Sequence, residues 1–196
     1  MTGIIFKSEE TYTLEDFLRL IEEEFYARDK QRYELLNGRI VMSPPAAFGH
    51  GNLAFLVNVK LGNHILNNHL GKAAGSSAGF ILPSGDLVQP DFAFISNNRL
   101  KAGQVDEGEF GRVVPNLVVE ILSPSTKKVD LGEKKSVYEK NGIDEYWILD
   151  PESRRVIVFQ LGAGGYGDGT GFQFNDAIIS KVLSGLQCYV RDLFSS

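Results

Sequence analysis

Leu117-Val118-Val119-Glu120-Ile121-Leu122 reads as a buried strand with one carboxylate in its middle. Alternation puts Glu120 on the face of Val118 and Leu122, while Val119 and Ile121 point the other way. An ionised carboxylate in such a strand costs several kcal/mol unless it is paired or binds a metal. The chain does the same thing a second time. Asp91 interrupts Leu87-Val88-Gln89-Pro90-Asp91-Phe92-Ala93-Phe94-Ile95. Two carboxylates placed in this way point to joint use, and divalent-metal hydrolysis is the chemistry that needs the arrangement.

The chain has 196 residues, 43% of them hydrophobic, enough for one domain, 1–196, with a full core. No apolar run approaches the ~18 residues of a membrane span, and Met1 to Glu10 holds no apolar signal region. A single cysteine, Cys188, rules out an internal disulfide or a cysteine-based zinc site. The expectation is a soluble, cytoplasmic protein. A formal charge of -5 argues against broad nucleic-acid binding. It leaves room for a nuclease, whose carboxylate-rich site is acidic until metal binds.

Hydrophobic periodicity lays out the elements. Thr13-Leu14-Glu15-Asp16 resembles a capping box, followed by Leu14, Phe17, Leu18 and Ile21 at helical spacing. Tyr33-Glu34-Leu35-Leu36 and Arg39-Ile40-Val41-Met42 form a strand pair about an Asn37-Gly38 turn. This N-terminal helix and strand pair, about 13–42, lead into the core. His50 to Leu70 predicts a long helix stopped at Gly71. Strands follow at Ala78–Leu82, Asp91–Ile95 and Leu117–Leu122, then a helix from about Leu131 to Asn141 ending at Gly142. Tyr146–Leu149 and Val156–Gln160 close the core. The fold class is α/β (α+β): a central mixed β-sheet flanked by helices.

Pro90-Asp91 and then Glu120-Ile121-Leu122 resemble the first two parts of the PD-(D/E)XK nuclease pattern. In that pattern two carboxylates and the backbone carbonyl after the second hold Mg²⁺. Here these are Asp91, Glu120 and the Ile121 carbonyl. Leu122 occupies the usual lysine position, yet a cation is still needed to orient water or stabilise the transition state. The downstream helix offers Lys134 and Lys135. Lys134 shares a face with Tyr138, four residues on, and some nucleases of this fold carry a polar residue and a tyrosine at that spacing. Lys134 is therefore preferred, with Lys135 and Tyr138 as secondary candidates. On the sequence alone, Lys134→Ala is expected to lose turnover and leave folding nearly intact.

A longer set of motifs stands in order: Tyr33-Glu34-Leu35, Met42-Ser43-Pro44-Pro45, His50, Pro90-Asp91, Val119-Glu120-Ile121-Leu122-Ser123-Pro124-Ser125, Asp130-Leu131-Gly132-Glu133-Lys134, and Glu145-Tyr146-Trp147-Ile148-Leu149-Asp150-Pro151. Together they resemble the Uma-two family (domain of unknown function 820), from about Tyr12 onward. The resemblance implies a restriction-endonuclease-like core and an active site of Asp91, Glu120 and Lys134, with Glu34 as a further acidic member. The implied activity is a Mg²⁺- or Mn²⁺-dependent endonuclease acting on DNA. The alternative is a non-catalytic DNA- or protein-binding module of the same fold.

Plainer readings stand beside these. Asp91 after Pro90 fits a turn that caps backbone donors. Lys134 fits a solvated helix charge or the neutralising partner of Glu120. Glu34 fits either a metal-side carboxylate or a surface residue. His50, just before a helix, fits a packing role or the mouth of the site. Arg99, Lys101, Lys127 and Lys128 border the proposed site, with solvated charges as the default. The glycine-rich run 162–171 lacks the Lys-Ser/Thr ending of a phosphate loop and reads as a hairpin tip. Tyr146-Trp147-Ile148-Leu149 is core or a dimer face. With the uncapped strand Val156–Gln160 and the needs of two-strand cleavage, it leads to the expectation of a homodimer.

Overall fold

Short strands break where the sequence puts proline, glycine and polar turns, and they assemble into two sheets. The computed structural model describes residues 6–22, 31–103, 105 and 108–194, so the ends of the 1–196 span lie outside the described residues. The strands are β1 (Phe6–Lys7), β2 (Arg32–Leu36), β3 (Arg39–Ser43), β4 (Gly71–Gly75), β5 (Phe80–Ile81), β6 (Leu87–Val88), β7 (Phe92–Ser96), β8 (Leu117–Ile121), β9 (Glu145–Asp150), β10 (Arg155–Gln160) and β11 (Thr170–Phe172). The helices are α1 (Leu14–Glu22), α2 (Phe48–Asn67), α3 (Asn97–Ala102) and α5 (Val190–Phe194). Between α3 and α5, Lys127–Val129, a π turn at Asp130–Lys134 and Lys135–Lys140 run on as one helix, α4.

The six-stranded sheet has the order β11-β10-β9-β8-β7-β4, and the smaller sheet has the order β1-β3-β2-β6-β5. Among the strands of the described residues the β8–β9 pair is parallel and the other strand pairs are antiparallel. The β-strand alternation read from Leu117–Leu122 sets the layers. Val119 and Ile121 pack under α2 and α5 with Phe92, Trp147 and Leu149. Val118 and Leu122 face the opposite core, with Val137 and Tyr138 of α4 and with Leu36, Val41 and Val88 of the smaller sheet. Glu120 therefore points into the space between the large sheet, α4 and the small sheet.

Local chemistry explains the element ends. Thr13 Oγ1 accepts from the Asp16 N–H at 3.1 Å and the Asp16 carboxylate accepts back from the Thr13 N–H, a reciprocal cap for α1. Asn37 and Gly38 both have positive φ, 50° and 75°, the type I′ geometry that joins β2 to β3. Ser123 accepts from the Thr126 N–H, and Thr126 Oγ1 accepts from the Ser123 N–H, with Pro124 between them, so this loop caps the start of α4.

Four expectations are refined or corrected. The central mixed sheet is present as expected and a second, smaller sheet stands beside it, because Pro90 has no N–H to continue a ladder and splits Leu87–Ile95 into β6 of one sheet and β7 of the other. The long helix runs from Phe48 to Asn67, so His50 lies inside its first turn and not before it. His69, at φ 52°, makes the left-handed turn expected of Gly71, which instead opens β4. Finally, Tyr146-Trp147-Ile148-Leu149 is wholly buried in β9, and β10 is paired on its other side by β11. Neither segment offers a surface to a second copy. The run 162–171 forms most of the loop of the β10–β11 hairpin, as its composition indicates, with Thr170 and Gly171 already paired in β11.

Candidate active site

Asp91 stands one residue before β7. Continuing the β7–β8 register from Phe92↔Val119 sets it across from Glu120. This is where the chain crosses from the small sheet to the large one. Both residues are 2% exposed. Asp91 Oδ2 accepts from the Ile121 N–H at 2.8 Å, locking its carboxylate to β8. Asp91 Oδ1 lies 3.1 Å from Arg32 Nη1 and 3.2 Å from His50 Nε2. Glu120 Oε1 accepts from Lys134 Nζ at 2.8 Å and from the Tyr138 hydroxyl at 2.6 Å. Glu120 Oε2 faces Arg32 Nη2 at 3.8 Å.

The remaining acid is Glu34, on β2. Its Oε2 lies 2.9 Å from Lys134 Nζ, and its Oε1 accepts from the Gln89 N–H at 2.7 Å. Glu34 is 1% exposed, so the surface reading fails. Asp130, one helical turn before Lys134, is also buried against the cluster. The π turn over Asp130–Lys134 carries both, a distortion common at functional sites. Around Arg32, Glu34, His50, Asp91, Glu120, Ile121, Asp130 and Lys134 there is a cavity of about 20 Å³, room for one water-sized species.

The structure thus gathers Asp91, Glu120, Lys134, Glu34, His50 and Tyr138 into one cluster. Lys135 is elsewhere: one position along the helix turns it outward, to the Gly167 carbonyl at 2.7 Å and over the Phe159 ring. Arg99 is consumed by the carbonyls of Val114, Pro115 and Gly142 and by Asp144, away from the cluster. Leu122, at the usual lysine position, is core. Sequence reasoning missed Arg32 and Asp130. Arg32 is two residues before Glu34 on β2, so strand alternation puts both on one face. Asp130 precedes Lys134 by four positions in a helix.

The sequence model of the Uma2 family, described as "Putative restriction endonuclease", matches residues 14–191. The chain belongs to this family. Among solved structures, the crystal structure of "a putative nuclease belonging to DUF820" from Anabaena variabilis ATCC 29413 is similar over 93% of this chain and 97% of that one, at TM-score 0.75 and 19% identity. No curated protein matches the chain. The fold of this Uma2 member is α+β with a restriction-endonuclease-like core, as the motif order implied.

Charge is unevenly balanced in this Uma2 cluster. Four buried carboxylates, Glu34, Asp91, Glu120 and Asp130, face two permanent cations, Arg32 and Lys134. With all four acids ionised and His50 uncharged the surplus would be two negative charges, and burial of the acids works against that full ionisation. Burial pushes Glu120 up to about 8; Asp91 and Asp130 push the same way, while Lys134 and Arg32 pull against them. Burial also raises Asp130, to about 6, against the pull of Lys134. Asp91 behaves oppositely. Burial would raise it, but His50, Arg32 and the Ile121 N–H outweigh burial and hold it well below the usual range. Burial acts to lower Lys134, and Glu120 and Glu34 more than offset that, so its ammonium is held above its ordinary value. From the lysine's side the Lys134–Glu120 contact is an ion pair; from the glutamate's side it leans towards a neutral acid. The ammonium is the firmer of the two, because two carboxylates lie within 2.9 Å of it.

Among the described residues, no trio of His, Cys, Asp or Glu is grouped to hold a metal ion. The donors suit a different kind of site. Hard carboxylate oxygens in a pair, plus a backbone carbonyl, leave most positions to water and substrate, as Mg²⁺ prefers. A divalent cation would offset the surplus of acid groups, and the carboxylate oxygens not taken by Lys134, Tyr138 or Ile121 both face the Arg32 guanidinium, Asp91 Oδ1 at 3.1 Å from Nη1 and Glu120 Oε2 at 3.8 Å from Nη2. The residues fit the group.

Proposed function

We propose that the chain is a divalent-metal-dependent endonuclease of DNA, with Mg²⁺ or Mn²⁺ held by Asp91, Glu120 and the Ile121 carbonyl. The observation that carries this reading is that the Asp91 and Glu120 carboxylates, both buried, meet the same guanidinium, Arg32, inside a cluster of four acids and two permanent cations. When bound, such an ion supplies an activated water and neutralises charge on the phosphate. The chain's own residues hold that site in shape. The Ile121 N–H and His50 fix Asp91; Lys134 and the Tyr138 hydroxyl fix Glu120. Glu34 anchors Lys134 from the far side, and Gln89 anchors Glu34. Lys134 thereby brings to the site, from α4, the cation that the pattern usually places two residues after Glu120.

The test is cleavage of supercoiled plasmid with Mg²⁺ or Mn²⁺, beside a chelator control and Glu120→Gln. Metal-dependent nicking that Glu120→Gln abolishes is the expected result. The second reading, a non-catalytic binding module, is favoured by one observation: Lys134 is fully engaged between two carboxylates. Duplex binding without any metal-dependent cleavage would establish it. Two-strand cleavage also favours a homodimer in our reading. The grounds that remain are on α2, where Phe48, Phe55, Val59 and Leu66 stand exposed, at intervals of seven, four and seven that keep them on one face.

A further inference from the structure

Arg32 is the least expected member of the cluster, and its bonding is incomplete. Nη1 meets Asp91 at 3.1 Å, Nη2 meets Glu120 only loosely at 3.8 Å, and Nε is buried without a hydrogen-bond partner. Buried guanidinium donors are normally spent, since an unmade hydrogen bond is costly there. Arg32 is also the cation that faces the remaining oxygens of both carboxylates, Asp91 Oδ1 and Glu120 Oε2. A guanidinium and a divalent cation repel and do not share one point. Its planar fork, with Nε unspent, matches a phosphate diester better than it matches this pair of acids.

Resting on the metal-site reading above, we propose that Arg32 guards the metal position. It neutralises Asp91 and Glu120 in the metal-free chain, gives up that position to the incoming divalent cation, and turns its fork to the substrate phosphodiester. Arg32 is then both the competitor of the metal and a catalytic residue that clamps the phosphate.

The experiment combines Mn²⁺ titration of the metal-free wild type, Arg32→Met and Arg32→Lys with cleavage kinetics on duplex DNA at saturating Mn²⁺. Arg32→Met should bind Mn²⁺ at least about tenfold tighter, yet show a KM for duplex raised several-fold. A purely structural arginine would weaken both. Arg32→Lys should also bind Mn²⁺ more tightly than wild type, because a point-like ammonium does not bridge two carboxylates; it keeps the test readable if the methionine variant does not fold. Mn²⁺ affinity unchanged or weakened in both variants would overturn the proposal, as would a lysine variant that reproduces wild-type affinity. Tighter Mn²⁺ binding with an unchanged KM would overturn the phosphate clamp. A wild type and variants that all fail to bind Mn²⁺ would overturn the nuclease reading along with it.

Discussion

The Lys134 ammonium lies 2.8 Å from Glu120 and 2.9 Å from Glu34, almost out of reach of water. A lysine so placed neutralises buried acids whatever else it does. Lys134→Ala is therefore expected to destabilise the metal-free protein by roughly 3–5 kcal/mol, the cost of leaving buried charge uncompensated. This reverses the expectation drawn from sequence, where nothing indicated that one lysine served two acids. Thermal melts with and without Mg²⁺ check it; metal should return part of the loss by binding the folded form. Glu120 makes a second prediction. Its folded value, about 8, lies above the ordinary 4.5, so its contribution to stability is present below about pH 4.5 and is lost as pH rises through 8. Asp130, raised to about 6, acts in the same direction over the lower part of that window. Asp91, held low, contributes stability above its ordinary range and loses it only in strong acid. The melting temperature in chelator should fall between pH 5 and 8, and Glu120→Gln should flatten the part above pH 6. Parallel profiles for wild type and variant would contradict the assignment. Asp91 and Glu120 were legible because each breaks an apolar run, and Tyr138 because it repeats the face of Lys134. Arg32 was not, since an arginine at the start of a strand has the ordinary look of a solvated charge.

At the scale of elements, the β2–β3 hairpin matters most, because β2 carries both Arg32 and Glu34. Its register rests on the Asn37-Gly38 turn. A slip of one residue would move both side chains to the opposite face. Gly38 sits at φ 75°, and a Cβ there would lie 3.5 Å from the Tyr12 carbonyl. Gly38→Val should cost about 1–2 kcal/mol in urea unfolding from the left-handed backbone alone, and lower cleavage with it. Turn and capping chemistry was readable because Asn-Gly and Thr-x-x-Asp have one strong structural use each. Gly71-Lys72-Ala73-Ala74-Gly75 was not, because its strand β4 has neither β-branched nor aromatic residues and owes its form to pairing with β7. The two-residue strands β5 and β6 are likewise products of tertiary pairing and too short to carry a period of their own.

For the whole molecule, the α+β class followed from alternating apolar runs and two helical periods, while the division into two sheets depended on where a single proline breaks one run. The segments expected to pair two copies are core or paired within the sheet, and α2 carries an exposed apolar stripe. Phe55 is 64% exposed in the middle of that stripe. Light scattering at micromolar concentration should give a dimer for the wild type and a monomer for Phe55→Asp; a monomeric wild type would remove the dimer from the account. No helix among the described residues is long and apolar enough to cross a membrane. The central claim is that Asp91 and Glu120 share one divalent ion. The most direct measurement is anomalous scattering from crystals grown with Mn²⁺. One manganese site between the Asp91 and Glu120 carboxylates, with Arg32 moved off them, is the predicted result. Crystals in which Arg32 still bridges the two acids, and manganese binds elsewhere or not at all, would contradict it.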